Sequence, residues 1–291
     1  MTFRSCSWNV RAGRETAAVS IGLFVLSLCG VAMVFVWYSR SGRENVESDT
    51  YEFAKPAVDT PEIRTWHHVA GFPASIAQME SVFWEPNDTD SLRAWLQDSD
   101  QLRGADVMEI GCGTGLVSIA CALLGARSVV ASDINQAAVV NATYNAELCG
   151  VSAKIKVRQV NEARPGPFEV IGSGEKFDLI ISNPPWEDAP VDSPAAYAFY
   201  DPGFRLLDGI LSAAKDHLNA DGSLLLAYGA KQAIQRIQDQ APNLGWQVTL
   251  HDPRDLSTLP EVFLPGMLLE LRRSEPGLAQ GQANKNTTDS K

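Results

Sequence analysis

Two short segments of this 291-residue chain hold residue types that could perform chemistry. The first is an apolar run that opens into the glycine turn Gly111-x-Gly113-x-Gly115. The second is an apolar run that ends in Asn183-Pro184-Pro185-Trp186. Glycines at the end of a strand let a ligand approach backbone N–H groups, which suits a nucleoside cofactor. The second segment suits the binding of a planar NH2 group.

Two acids accompany the glycine turn. Glu109 precedes it on the predicted strand, where a carboxylate could anchor a cationic amino group. Asp133 ends the next apolar run, where an acid accepts hydrogen bonds from two ribose hydroxyls. Asp133 could also be a helix N-cap and Glu109 a partner of backbone amides, but both acids together with the glycine spacing favour cofactor binding. Leu116 stands where a dinucleotide fold needs glycine, which argues against a nicotinamide cofactor.

The second segment offers acceptors rather than donors. Pro184 and Pro185 fix the backbone and lack N–H groups, so the Asn183 side-chain oxygen and the Pro184 carbonyl are left to bind a ligand. Two acceptors can take both protons of one NH2 group while Trp186 stacks on a flat amide or base. The same tetrapeptide could alternatively be a strand-ending turn with a buried tryptophan.

The elements that must position these residues alternate between short apolar runs and amphipathic stretches. This pattern is typical of β-α units on a mostly parallel sheet, so we predict an α/β fold, with helices over 116–124, 135–148 and 204–218. The last two strands have no helix between them, which predicts an antiparallel hairpin at one sheet edge. We predict strands near 106–110, 128–132, 155–160, 178–182, 222–228, 246–251 and 266–272.

The amino terminus holds 22 residues without a charge, 17–38, that end in an interfacial Trp-Tyr pair. This length matches a membrane-spanning helix. Arginines flank both sides, so charge does not set the orientation, and the need for a cytoplasmic cofactor predicts a single-pass protein with its catalytic domain in the cytoplasm. A signal peptide or a later start codon are the alternatives. We predict an N-terminal segment 1–16, a transmembrane helix 17–38, a linker 39–80 with a short hairpin near 63–72, a catalytic domain 81–273 and a disordered tail 274–291.

The charge balance bears on partners. Residues 41–291 carry 20 Lys and Arg against 34 Asp and Glu, a net charge of −14. Such a surface repels a phosphate backbone, so nucleic acid is disfavoured as a partner. The five cysteines contain no C-x-x-C pair and indicate reduced thiols rather than a disulfide framework. The adjacent His67 and His68 lack a matching ligand cluster, and we expect no metal.

Over residues 81–273 the chain resembles the class I S-adenosylmethionine-dependent methyltransferases. The resemblance rests on Glu109, the glycine turn and Asp133, and implies a doubly wound seven-stranded Rossmann-like sheet whose last strand is antiparallel. S-adenosyl-L-methionine is the implied cofactor. Its expected contacts include Asn183 of the second motif and a residue after the third strand, Asn161 or Glu162, that meets the adenine. The remaining expected contacts are Glu109, Gly111, Cys112, Gly113, Gly115, Asp133 and Ile134.

The N-P-P-aromatic segment resembles the amino-methyltransferases, which include release-factor glutamine methyltransferases and adenine- or guanine-specific enzymes. Residues 82–90 are similar to the proline-rich, Thr-acidic segment of the glutamine enzymes, although Pro86-Asn87-Asp88 replaces the family's second proline. Trp186 replaces the usual tyrosine, and the family's helical release-factor domain has no counterpart here. Both departures put release factors in doubt as substrates.

These observations predict an N-methyltransferase that acts on a protein side-chain amide, with Asn183, Pro184, Pro185 and Trp186 as the catalytic segment. A methyltransferase for an exocyclic base amine is the first alternative, and a membrane-tethered cofactor-binding protein without catalysis is the second. Tyr197, Tyr200, Asp201 and Arg205 follow the motif and could form a lid or an ordinary packed loop. The sequence does not predict an oligomeric state.

Overall fold

The computed structural model describes residues 20–28, 31–39 and 61–274. The chain divides into two compact units, Met1–Ala57 and Val58–Lys291. In the first unit, β1 (Ser20–Leu28) pairs antiparallel with β2 (Val31–Ser39). The linker residues 40–60 and the predicted tail from 275 onward lie outside the described residues.

The described residues of the predicted transmembrane helix are therefore strands, and the prediction of a helix over 17–38 is corrected to that extent. Apolar runs rich in valine, leucine and phenylalanine suit either a helix or a strand, and periodicity cannot separate the two. In the part of the chain that the structure describes, every helix is too short or too polar to cross a membrane.

The second unit begins with a hairpin of β3 (Ile63–His67) and β4 (Ile76–Met79), followed by helix α1 (Asp90–Asp98). The sequence analysis placed this hairpin in a linker, but it packs against the rest of the second unit. Asn141 and Asn145, both fully buried, donate from their side-chain amides to the carbonyl of Ala77 and accept from the N–H groups of Met79 and Ala77 at 2.9 Å.

A seven-stranded sheet forms the centre of this unit. Its strands lie in the order β10-β11-β9-β8-β5-β6-β7, and β11 alone runs antiparallel to its neighbours. Both the α/β fold class and the edge hairpin predicted from the sequence are confirmed. The strands are β5 (Asp106–Ile110), β6 (Ser128–Asp133), β7 (Ile155–Gln159), β8 (Phe177–Ser182), β9 (Leu218–Ala230), β10 (Trp246–Leu250) and β11 (Val262–Arg273).

Four further helices connect the strands: α2 (Leu116–Leu123), α3 (Gln136–Leu148), α4 (Arg205–His217) and α5 (Lys231–Gln240). Successive residues of a strand point to opposite faces, so the sheet buries apolar side chains on both sides. Met108, Ile180 and Leu226 belong to one hydrophobic cluster, and their neighbours Val107 and Leu179 belong to the other. The polar site therefore has to form at the ends of the strands.

Candidate active site

A cavity of about 470 Å³ opens at the carboxyl ends of β5, β6 and β8. The glycine turn and Asn183 both line it, so the structure brings together the two motifs that the sequence identified. A strap of residues 82–89, which includes a 3-10 turn, and residues 194–206 complete its walls. Ligands of open α/β sheets bind outside the carboxyl ends of the strands, which is where this cavity lies.

The glycine turn has a left-handed backbone at each glycine. The φ angles are 76° at Gly111, 52° at Gly113 and 83° at Gly115, a region that side chains with a Cβ atom rarely adopt. A Cβ at Gly115 would also lie 3.0 Å from Cβ of Ala142, so Gly115 lets α2 pack closely against α3. Gly115 itself does not line the cavity. Its left-handed backbone turns the chain into α2, whose first residue, Leu116, lines the cavity.

Glu109 is 4% exposed and lies on β5 at the cavity wall. Its Oε2 accepts hydrogen bonds from the backbone N–H of Ser118, at 2.9 Å, and from the Ser118 hydroxyl. Burial raises the pKa of Glu109 to about 8 despite these two donors. A cationic ligand group in the cavity would restore the charged form, because an opposite charge lowers the pKa of a carboxyl group.

Asp133 ends β6 and also lines the cavity. Its Oδ2 accepts from the N–H of Gly113 and its Oδ1 from the N–H of Asn135, both at 2.9 Å. Burial raises its pKa, and the backbone donors oppose that shift. Each carboxylate oxygen has more than one acceptor position, so Asp133 can hold the turn and still bind hydroxyl groups of a ligand.

The other expected cofactor contacts divide into two groups. Cys112 and Ile134 line the cavity, and burial raises the pKa of the Cys112 thiol well above its usual value, so it stays neutral. Asn161 and Glu162 do not line this cavity and border a separate, shallower one. The Asn161 oxygen instead accepts from the N–H of Ala163 at 2.9 Å. Val160 and residues 165–167 form the wall at this end, and sequence reasoning missed them.

Asn183 lies at the far end of β8, and its side-chain amide has a partner on each side. Its Oδ1 accepts from Nε1 of Trp186 at 3.3 Å, and its Nδ2 donates to Oδ2 of Asp88 at 2.9 Å. Pro185 lines the cavity, whereas Pro184 and Trp186 do not. The Trp186 ring lies over Gly229, where an added Cβ would come within 2.3 Å of the ring. Trp186 therefore holds the Asn183 side chain by a hydrogen bond from outside the cavity, and its ring does not line the cavity.

Asp88 is a site residue that sequence reasoning missed as a functional group. It lies in the strap, is 5% exposed and lines the cavity beside Asn183. Burial raises its pKa to about 7, and the hydrogen bond from Asn183 opposes that shift. Its place in the Thr-acidic segment of residues 82–90 was the available signal, but nothing in the sequence connects it with a motif 95 residues away.

The segment after the motif forms part of the wall. Tyr197, Asp201 and Arg205 line the cavity, while Tyr200 forms a backbone bridge with Glu187. The carboxylate of Asp201 accepts from two N–H groups at the start of α4, at 2.9 and 3.0 Å, so it caps that helix. Phe199 meets Phe83 of the strap edge to face, with the ring centroids 5.1 Å apart. This contact joins the two walls of the acceptor end.

The residues present fit S-adenosyl-L-methionine. Glu109 offers a buried carboxylate whose neutral form prevails until a cation arrives, Asp133 offers acceptors for hydroxyl groups, and the glycine turn leaves backbone exposed to a ligand. The cofactor supplies an electrophilic methyl group. Asn183 lines the same cavity after β8, the strand that pairs with β5, and an acceptor of that group would have to bind beside it.

Comparison with known proteins agrees with this geometry. The family model for ribosomal protein L11 methyltransferase (PrmA) matches residues 89–184, which include the glycine turn and the start of the N-P-P-W motif. A protein of Methanocaldococcus jannaschii, named as a protein N5-glutamine methyltransferase, is 33% identical over 165 residues, which cover 53% of this chain and 77% of that protein.

A release factor glutamine methyltransferase of Shewanella oneidensis is 30% identical over 154 residues, covering 49% of this chain and 51% of that protein. A ribosomal protein L11 methyltransferase of Methylococcus capsulatus is 37% identical over 123 residues, covering 42% of this chain and 39% of that enzyme. The chain thus spans about half or less of these two enzymes. Its cavity, its glycine turn and its similarity to the archaeal protein show that the chain belongs to the S-adenosylmethionine-dependent methyltransferases and is an enzyme of that family.

Proposed function

We propose that this enzyme methylates the planar NH2 group of a protein side-chain amide. The observation that carries the proposal is the orientation of Asn183. Its Nδ2 faces Asp88 and its Oδ1 faces the indole N–H of Trp186, which leaves a second acceptor position on Oδ1 for a ligand in the cavity. A site with a fixed amide oxygen at this point suits an acceptor that brings N–H donors.

The chain's part in the reaction is binding and alignment. The Asn183 oxygen is the acceptor that we assign to one proton of the acceptor NH2 group, because Asn183 lines the cavity and Pro184 does not. This hydrogen bond directs the nitrogen lone pair toward the methyl group and favours a pyramidal nitrogen, which is the more nucleophilic form. Once methylated, the nitrogen carries a positive charge and releases one proton to solvent, which leaves a neutral N-methyl amide. Amide nitrogens are poor nucleophiles, so interactions that strengthen as the nitrogen becomes pyramidal lower the barrier most.

Charge around the cavity supports a protein acceptor over a nucleic acid. Residues 83–90 and 186–201, which border the acceptor end, contain no Lys, Arg or His, and among the residues that line the cavity one base, Arg205, stands against five acids. A phosphate backbone would be repelled by such a surface. Two relatives are also named for glutamine methylation, of a protein in one case and of a release factor in the other. The acids of the two segments are Glu85, Asp88, Asp90, Glu187, Asp188, Asp192 and Asp201.

The test is to incubate the purified full-length protein with methyl-labelled S-adenosylmethionine and a lysate of cells that lack it. Asn183→Ala serves as the matched control. Label that protease releases, and that the control does not produce, is the expected result. Label that nuclease releases would instead establish the exocyclic amine of a base as the acceptor. Absence of label despite measurable cofactor binding would contradict the proposed transfer.

We also propose that residues 17–38 attach the enzyme to a membrane, with the catalytic domain in the cytoplasm. The support is the run of 22 uncharged residues and its terminal Trp37-Tyr38 pair. Fractionation of cells that produce the full chain, with a chain that begins at residue 41 as the comparison, tests this. Full-length protein that stays in the membrane pellet after alkaline carbonate washing supports the attachment, and full-length protein in the soluble fraction contradicts it.

A further inference from the structure

We infer that Asp88 is a positioning residue that orients the Asn183 amide for the acceptor NH2 group. The inference rests on the proposed function for the identity of the acceptor, but the hydrogen bonds that carry it belong to the chain alone. Asp88 lies in the strap, and Asn183, 95 residues later in the sequence, directly follows β8. Asp88 lies outside the glycine turn and the N-P-P-W motif, in the segment 82–90 whose similarity to the glutamine enzymes assigned it no role.

The Asn183 amide has two hydrogen-bond partners of opposite kind. An indole N–H can only donate, so Trp186 has to face the oxygen of the amide. An ionised carboxylate can only accept, so Asp88 has to face the NH2 group. In the opposite orientation a donor would face a donor and an acceptor would face an acceptor. The pair of partners therefore selects one orientation of Asn183.

That orientation decides whether the site can bind an NH2 group. With Oδ1 toward Trp186, the oxygen keeps an acceptor position for the ligand. With the amide reversed, Asn183 would present its own N–H groups to those of the acceptor. The hydrogen bond from Nε1 of Trp186 to Oδ1 of Asn183 is 3.3 Å long, whereas the bond from Nδ2 of Asn183 to Oδ2 of Asp88 is 2.9 Å long. Asp88 is the closer and charged partner, and charge-assisted hydrogen bonds are the stronger ones.

Contacts with β11 and α1 hold the backbone of Asp88 in place. A Cβ at Gly266 would lie 2.8 Å from the backbone oxygen of Asp88, so the strap lies directly against β11. Arg93 of α1 donates to the carbonyl of Pro86 at 3.0 Å, and Ser91 donates to the carbonyl of Gly266 at 2.6 Å. The carboxylate therefore sits on a clamped turn. It can fix Asn183 because its own backbone is fixed.

Protonation should weaken this control. A protonated carboxyl group can donate as well as accept, so it tolerates either orientation of the amide. Burial is the main reason that the pKa of Asp88 is raised to about 7; Glu85 contributes to the rise, while the hydrogen bond from Asn183 and the charge of Arg93 oppose it. On the β11 side the backbone of Gly266 lies against the strap, and the charged side chains that act on Asp88 are Glu85 and Arg93. The orientation of Asn183 should thus become less strictly selected as the pH falls through 7.

Side-chain NMR of the full-length protein tests the inference without any acceptor. With asparagine labelled by nitrogen-15, the Asn183 NH2 signals are assigned by their absence in Asn183→Asp. We expect them to shift with a midpoint near pH 7 in the wild type, and not to titrate in Asp88→Asn. Asp100→Asn, at a fully exposed position, is the matched control and should titrate like the wild type. Equal titration in Asp88→Asn, or no titration in the wild type, would overturn the inference.

Activity provides the second readout, with labelled S-adenosylmethionine and lysate protein as the probe. Asp88→Ala should lower the rate of transfer at least tenfold and leave cofactor affinity within about threefold of the wild type, as expected for misalignment. Asp88→Asn keeps an oxygen that can accept from Asn183, so it should retain more activity than Asp88→Ala. Its rate should not fall as the pH drops through 7, whereas the wild-type rate should. Wild-type rates and pH profiles in both variants would overturn the inference. If no transfer occurs but the Asn183 signals titrate as expected, the proposed function fails and the positioning role stands.

Discussion

The two halves of the cavity are built in different ways. The cofactor half joins residues that are close in sequence: Ser118 donates to Glu109 over nine positions, and Gly113 donates to Asp133 over twenty. The acceptor half joins Asp88 to Asn183 over 95 positions, with Gly229 and Gly266 packed behind them. The cofactor half can form from one strand, its turn and the following helix, whereas the acceptor half forms only when the whole sheet is assembled.

This difference predicts that the halves can be damaged separately. Changes behind Asn183 should remove methyl transfer and spare cofactor binding. Changes in the glycine turn or at Glu109 should weaken cofactor binding first. Variants that affect both halves equally should be confined to the residues that join them.

Gly229→Ala should have the largest effect on catalysis. The added Cβ would lie 2.3 Å from the Trp186 ring and from the Phe263 carbonyl, so Trp186 has to move and Asn183 with it. A shift of about 1 Å in an active site can cost about 100-fold in rate, and we expect a loss of that order. The measurement is the transfer rate together with cofactor affinity by calorimetry, which should change by less than about threefold.

Gly174→Ala is the control for this variant, because no atom lies within 4 Å of the added Cβ and φ is not in the left-handed region. It should retain the wild-type rate. A large loss of cofactor affinity in Gly229→Ala would show that the two halves are not independent.

Asn145→Ala should destabilise the whole protein, because Asn145 links β4 to the glycine turn. The fully buried Asn145 amide bonds to the N–H and carbonyl of Ala77 in β4 and to the carbonyl of Thr114 in the glycine turn. Its removal leaves buried backbone groups without partners, at a cost of about 2–3 kcal/mol in the free energy of unfolding. Urea unfolding measures it. Thr143→Ala, at an exposed position of the same helix, should change the free energy by less than about 0.5 kcal/mol.

Glu109→Gln should weaken cofactor binding by about tenfold, the equivalent of roughly 1.4 kcal/mol, through loss of a charge-assisted contact. The pKa of Glu109 is raised to about 8, so the free enzyme holds a proton that a bound cation would displace. Wild-type affinity should therefore rise as the pH increases from 6 to 8, and binding should release protons. Calorimetry in two buffers of different ionisation enthalpy measures that release. An unchanged pH dependence in Glu109→Gln would contradict the role of this carboxylate.

The raised pKa of Glu109 also affects the pH dependence of the free energy of unfolding. A carboxyl group whose pKa is higher in the folded than in the unfolded state binds more protons when folded. The free energy of unfolding should therefore decrease as the pH rises from about 4.5 to 8, and the decrease should be smaller in Glu109→Gln than in the wild type. Thermal unfolding across this pH range, without cofactor, measures it. A steeper decrease in the variant would contradict the assigned shift.

The fold and the cofactor half could be predicted from the sequence because their signals are local. Alternating apolar runs located all seven strands of the sheet, and the glycine turn with Glu109 and Asp133 located the cavity. The helix predicted over 17–38 was wrong for the described residues, since an apolar run of β-branched residues does not distinguish helix from strand.

The acceptor half was predicted only in part. Asn183 was found because its motif follows a strand, but Asp88 and Gly229 matter through contacts that form only when distant segments meet. Trp186 was expected to stack on the acceptor, and its position depends on the absence of a side chain at Gly229. The adenine contact expected at Asn161 depends on how the loop after β7 turns, and the side chain of Asn161 is used by that loop instead.

The smallest expected effect concerns the charges at the mouth of the acceptor half. Glu187 and Asp192 are exposed beside the cavity, and exposed charges act through water and salt, so their influence should be several-fold at most. A glutamine peptide flanked by lysines should be methylated about threefold to tenfold faster than one flanked by glutamates at low salt, and the preference should shrink as salt is added. Initial rates with the two peptides measure this preference.

Combined Glu187→Gln and Asp192→Asn should reduce the preference for the lysine-flanked peptide without lowering cofactor affinity, while Asp100→Asn should leave the preference unchanged. Equal rates for the two peptides at low salt would show that the acidic segments do not select among protein acceptors by charge.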